Sequence, residues 1–119
     1  MNVTEARQAL ASACNSVVGV AVRPHPIRNP ITGDGWVTVT RAAPYTYGTL
    51  AVDFTIVVIL GADPEAAELK LDQWALTLID AVTQGVLCSN VLAEGTTLAV
   101  GQSQTPVHAL TITATMEVE

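Results

Sequence analysis

Charge is what this chain has least of. Lys, Arg, Asp and Glu make up 13% of its 119 residues, against roughly 25% in an ordinary soluble domain. Half of the residues are hydrophobic. A domain of this size has much surface to cover, so a shortage of charge leaves apolar surface that must meet something other than water. Self-association is the first expectation. Long apolar runs are missing as well. The greasiest stretch, LAVDFTIVVIL at 50–60, is eleven residues long, where a spanning helix needs about 20. Asp53 and Thr55 interrupt it, Gly48 precedes it, and Gly61 and Pro64 follow it. No membrane partner is expected. The opening segment MNVTEARQALASAC carries Glu5 and Arg7 where a secretory signal has a basic start and an apolar block, so export is not expected either.

Catalytic and metal-binding patterns are equally scarce. Cys14 and Cys88 are the only cysteines, and neither has a Cys or His neighbour at ligand spacing. They read as small buried hydrophobes of a reducing compartment. The two histidines, His25 and His108, lie in a proline-rich loop and on the outward-leaning start of the last strand, with no nucleophile beside them. There is no G-x-S-x-G and no P-loop, and Gly33 and Gly35 precede a strand rather than a helix, which excludes a dinucleotide fingerprint. Asp53 and Asp63 stand at opposite ends of one strand, too far apart for a carboxylate pair. No enzymatic activity and no cofactor are expected.

The charges that are present are unevenly spread. Residues 1–50 hold Arg7, Arg23, Arg28 and Arg41 against Glu5 and Asp34, whereas residues 51–119 hold nine acids against Lys70 alone. With a net charge of −6 the chain is a poor general nucleic-acid binder, because such affinity comes from neutralising phosphates. Glu65, Glu68 and Asp72 share one helix face at steps of three and four. A divalent cation is one reading of that cluster; a solvated face near a helix start is the commoner one. His25 and Arg28 admit a phosphate or a plain surface loop. Tyr45 and Tyr47 admit a partner-binding tip or hairpin packing.

Patterning places the elements. Residues 3–18 repeat apolar positions at helical spacing, with Asn2 and Glu5 as a capping box, and Gly19 ends that helix. VAVRP (20–24) is a short strand. PHPIRNPITGDG cannot form regular helix or interior strand, since Pro24, Pro26 and Pro30 fall within seven residues. WVTVTR (36–41) alternates, with Val37, Val39 and Arg41 on one face. In TLAVDFTIVVIL, Val52, Phe54, Ile56, Val58 and Leu60 share one face, while Asp53, Thr55, Val57 and Ile59 share the other. The far end of this strand is therefore apolar on both sides, which calls for a cover of helices or of another subunit. Asp63 and Pro64 open a second helix that Gly85 closes, with Leu71, Trp74, Ala75, Leu78, Ile79 and Val82 as its buried stripe. VLCSNVLAEG and TTLAVGQSQ read as a hairpin about Glu94–Gly95. PVHALTITATMEVE alternates to the end. The sum is a single α+β domain, an antiparallel or mixed β-sheet with two α-helices packed on one face.

Taken together, the VTEARQALASA helix, the GDGWVTVTR strand and the YGTLAVDFTIVVILGADPEAAELKLDQWALTLIDAV unit resemble, in that order and spacing, the tail terminator (tail-completion) proteins of long-tailed phages, particularly those of actinobacterial hosts. The resemblance spans most of the chain and contains no catalytic fingerprint. It implies a structural virion protein that forms a homo-oligomeric ring, generally of six subunits, on the head-proximal end of the tail tube. The ring would stop tube polymerisation and offer the head–tail joining surface. Implied partners are the chain itself, the tail tube protein, head-completion or neck proteins, and passing genomic DNA without specific binding. The implied location is the neck of the virion, and the host cytoplasm during assembly. On this reading Arg28, Arg41, Tyr45, Tyr47, Val57 and Ile59 are candidate partner contacts, and Glu65, Glu68 and Asp72 are candidate lumen-facing acids. The alternatives are another neck protein (head-closure or adaptor), a minor tail protein, or a cellular ligand-binding α+β domain.

Overall fold

Five strands form one mixed sheet in the computed structural model, which describes residues 1–101 and 103–119. They are β1 (Ala21–Arg23), β2 (Asp34–Pro44), β3 (Leu50–Gly61), β4 (Ser89–Val100) and β5 (Thr105–Val118), in the order β1-β2-β3-β5-β4. Only β1 and β2 are parallel; the other neighbours run antiparallel. Two helices, α1 (Val3–Cys14) and α2 (Pro64–Gly85), cover one face. α1 lies mainly over β1 and β2, and α2 over β3, β5 and β4.

Both helix starts follow from local chemistry. Asn2 accepts from the Glu5 amide while the Glu5 carboxylate accepts from the Asn2 amide, so two otherwise orphaned donors are satisfied. Asp63 caps α2 by accepting from the Ala66 amide, with Pro64 in the first turn where no amide is needed. α1 stops at Cys14, four residues short of the end that periodicity predicts. The Asn15 side chain turns away from the helix to accept from the Val22 amide and donate to the Val22 carbonyl, at 2.6 and 3.0 Å. A side chain tied to β1 fixes the exit of the helix, and Val17 is buried from a turn instead.

The core lies between the helices and the inner face of the sheet. Leu10 and Cys14 of α1, Trp74, Leu78 and Val82 of α2, and Val52, Phe54, Ile56 and Val58 of β3 form one cluster with Leu110, Ile112 and Ala114 of β5. Each fully buried large aliphatic or aromatic side chain contributes about 1.5–3 kcal/mol. Of the stripe expected on α2, Trp74, Leu78 and Val82 are buried, and Leu71, Ala75 and Ile79 are partly so. Gly33 joins the layers. Its φ of +93° and a Gly19 carbonyl only 2.4 Å from where a Cβ would stand leave no room for a side chain.

Three expectations are corrected. First, β4 is one continuous strand that runs on to Val100, with Glu94–Gly95 in its middle, and its partner β5 begins only at Thr105. Gly95 reads as a turn signal, but it is a contact with α2, since Leu71 Cδ2 lies 3.7 Å from the position of a Cβ. Second, a β-bulge between Val39 and Arg41 breaks the alternation of β2. Thr40 is the extra residue, and Arg41 therefore pairs with Asp53 on the outer face rather than sharing the face of Val37 and Val39. Third, the doubly apolar end of β3 is covered by its own chain. Val57 and Ile59 are 7% and 2% exposed, packed with Ala109 and flanked by Trp36, Leu98, Val100 and Val107. The β4–β5 arm and Trp36 supply the cover for which a second subunit is the alternative.

Candidate assembly surfaces

The expected contact residues separate into three places. Arg28 is exposed in the 24–33 loop, at the end of the sheet where Gly33 donates to the Ile59 carbonyl. Tyr45 and Tyr47 sit on the β2–β3 connection at the opposite end, where Leu50 pairs with Val118. Arg41 is on the outer face near that second end, also exposed. Val57 and Ile59 are removed from the accessible set by their burial. Glu65, Glu68 and Asp72 are all exposed on the first half of α2.

The tyrosine end has the strongest contact chemistry. The β2–β3 turn is held by the Tyr45 amide bonding the Thr49 carbonyl, the Thr49 amide bonding the Thr46 carbonyl, and the paired Thr46 and Thr49 hydroxyls. This frame holds Tyr47 fully in solvent and Tyr45 at 63% exposure. Beside it the linker between α2 and β4 leaves Leu87 at 95% exposure. Between them runs an open groove of about 460 Å³, lined by Tyr45, Leu87, Cys88 and Met116 among others. Two exposed tyrosines and an exposed leucine at one end of a charge-poor domain make that end the candidate contact surface. Sequence reading found the tyrosines but passed over Leu87, which stands alone between a helix and a strand with no pattern to flag it.

The outer face of the sheet is of a different kind. Thr38, Thr55 and Thr113 stand side by side across three strands. Next to them Arg41, Asp53 and Thr115 form a second row, and the Thr115 hydroxyl donates to Asp53 Oδ1 at 2.6 Å. Thr40 donates to the Asp53 carbonyl. Thr38 likewise donates to the Thr55 carbonyl, so several of these hydroxyls are satisfied within the sheet.

A second depression, of about 240 Å³, lies between α2 and the β4–β5 arm and brings Glu68 near His108. The outward placement expected of His108 is corrected: it alternates with Leu110 and Ile112, which puts it on the helix-covered face, half-buried. Among the described residues no three His, Cys, Asp or Glu side chains are placed to hold a metal ion. Burial pushes the Cys14 thiol up to about 12 and raises that of Cys88 as well. Both are thereby held in the unreactive thiol form. Among the described residues no helix is long and apolar enough to cross a membrane.

Neither the family models nor the curated proteins give a match to this chain.

Proposed function

We propose that this chain is a phage tail terminator: a non-enzymatic virion protein that assembles as a ring on the head-proximal end of the tail tube, halts tube growth and presents the surface to which the head joins. The observation that carries the reading is the placement of its contact surfaces. A subunit of a ring inserted between tube and head needs two axial ends for different neighbours and two lateral sides for copies of itself. The tyrosine end, with Tyr45, Tyr47 and Leu87, and the proline-loop end, with Arg28, lie at opposite ends of the strands. They take the tube protein and the neck protein between them. Glu65, Glu68 and Asp72 are assigned to the lumen, where exposed carboxylates repel the passing genome rather than bind it. The segments that carry the resemblance fold as α1, β2 and the β3–α2 unit, which together build the core. No cofactor enters this function. The protein acts in the neck of the virion and is made in the host cytoplasm.

Removal of the gene during infection tests this. The expected result is abnormally long tails without heads. DNA-filled heads that leak, with tails of normal length, would instead assign the chain to head closure. A Tyr45→Ser, Tyr47→Ser, Leu87→Ser triple variant is expected to fold normally and fail to complement, as scored by infectious particles.

A further inference from the structure

The two lateral edges of the sheet are both open and are chemically opposite. β4 forms one edge, and all twelve of its residues are exposed or half-buried. It carries a single charge, Glu94, and no proline or lysine. Monomeric proteins usually protect such an edge with Lys, Pro, bulges or shortness. Here the only irregularity lies at its very start, between Ser89 and Leu92. At the other edge β1 covers β2 only from Asp34 to Trp36, leaving the rest of an eleven-residue strand without a strand neighbour on that side. Arg7 donates to the Val37 carbonyl at 2.6 Å and occupies the first open position.

Charge follows the same division. The side built from α2 and β4 and their connections, residues 63–100, holds Asp63, Asp80 and Glu94 against Lys70, apart from the three acids assigned to the lumen. The opposite side, within residues 1–50, carries Arg7, Arg23, Arg28 and Arg41 against Glu5 and Asp34, an excess of two positive charges. Register makes the match specific. One row crosses all five strands: Arg23 pairs with Trp36, Trp36 with Val57, Val57 with Thr111, and Thr111 with Glu94. The row begins in an arginine and ends in a glutamate. Both are exposed, and no ion pair among the described residues involves either.

We infer that the β4 edge of one copy pairs with the β1–β2 edge of the next, so that Glu94 meets Arg23 of the neighbouring subunit and the sheet continues from copy to copy. Strand directions allow it. β5 runs with β2 and β4 runs against β5, so a rotation about an axis along the strands brings β4 antiparallel to both β1 and β2 of the next copy. The contact is head-to-tail and closes into a ring. The competing arrangement, β4 against β4 about a two-fold, offers Glu94 no cation in any register, because β4 carries no other charge. Backbone hydrogen bonds to β1 supply part of the attraction, and the Arg–Glu row sets register and partner. This inference deepens the ring reading and rests on it for the closed symmetry.

Disulfide trapping in a Cys88→Ser background tests it, both on concentrated protein alone and on protein assembled with tube protein. Arg23→Cys with Glu94→Cys on one chain is expected to give a ladder of cross-linked species on oxidation, with neither single variant doing so. Glu94→Arg is expected to weaken association about tenfold, and Arg23→Glu in the same chain to restore it; that rescue separates a lost contact from a lost fold. Cross-linking by Glu94→Cys alone, or no cross-link in either setting, would overturn the inference. A ladder without tube capping leaves the edge contact standing and removes the terminator reading. Normal capping without a ladder does the reverse.

Discussion

The two faces of β3 both carry apolar residues at their far end and meet different fates. On the inner face Val52, Phe54, Ile56, Val58 and Leu60 are buried without exception beneath the helices. On the outer face burial is confined to Val57 and Ile59, and from Thr55 toward the tyrosine end the surface is open and rich in threonine. The difference teaches that an apolar side chain in this domain is no guide to what covers it. One face is a core that defines the fold. The other is a local patch that the β4–β5 arm closes over while leaving the rest of the sheet free for contact.

The comparison can be broken most sharply on the inner face. Phe54→Ala is expected to cost about 3–5 kcal/mol, measured by denaturant midpoint, and to leave little folded protein. Ile59→Ala on the outer face removes a side chain of similar burial from a much smaller cluster. Its expected cost is about 2 kcal/mol, at the low end for such a truncation. An equal loss at both positions would erase the distinction drawn here. Asp53→Ala, which strips the Thr115 hydroxyl of its acceptor on the half-open part of the outer face, is expected to cost about 1 kcal/mol.

The core also has a pH signature. The Cys14 thiol is raised from its ordinary 9.0 to about 12 in the folded chain, so the folded state keeps a proton that the unfolded state gives up. Stability is therefore unaffected by this group below pH 9 and falls as pH rises from 9 toward 12. Cys14→Ala should flatten that limb of the stability profile. The smallest expected effect belongs to Tyr47→Ser, within about 0.5 kcal/mol of wild type, because the side chain touches solvent alone.

Much of this was legible before any coordinate. The α2 boundaries follow from Asp63, Pro64 and Gly85, because capping chemistry is local. The inner face of β3 follows from strict alternation, as does that of β5. The errors lie where a distant partner decides. Asn15 ends α1 by bonding a strand seven residues on, and no helix-periodicity rule contains Val22. Gly95 resembles a turn residue until Leu71 is placed above it. The extra residue at Thr40 leaves no mark in composition, yet it moves Arg41 from one face to the other. The apolar outer end of β3 was correctly seen as needing a cover, but which part of which chain supplied it is a tertiary fact. Among the candidate contacts, Tyr45 and Tyr47 were visible as aromatics in a turn, whereas the row linking Arg23 to Glu94 exists only once four strand registers are known.

The spare residue in β2 has a consequence for how this chain tolerates change in length. Because Thr40 has no opposite number on β3, excising it would leave every flanking pair in step, from Val37–Ile56 through Arg41–Asp53 to Pro44–Leu50. Cutting a residue from the middle of β3 would instead throw one flank out of phase on two neighbouring strands at once. Lineages that gain or lose single codons in this sheet would accumulate them at position 40, and the tyrosine-bearing tip beyond it could be lengthened or trimmed while the sheet beneath stays as it is.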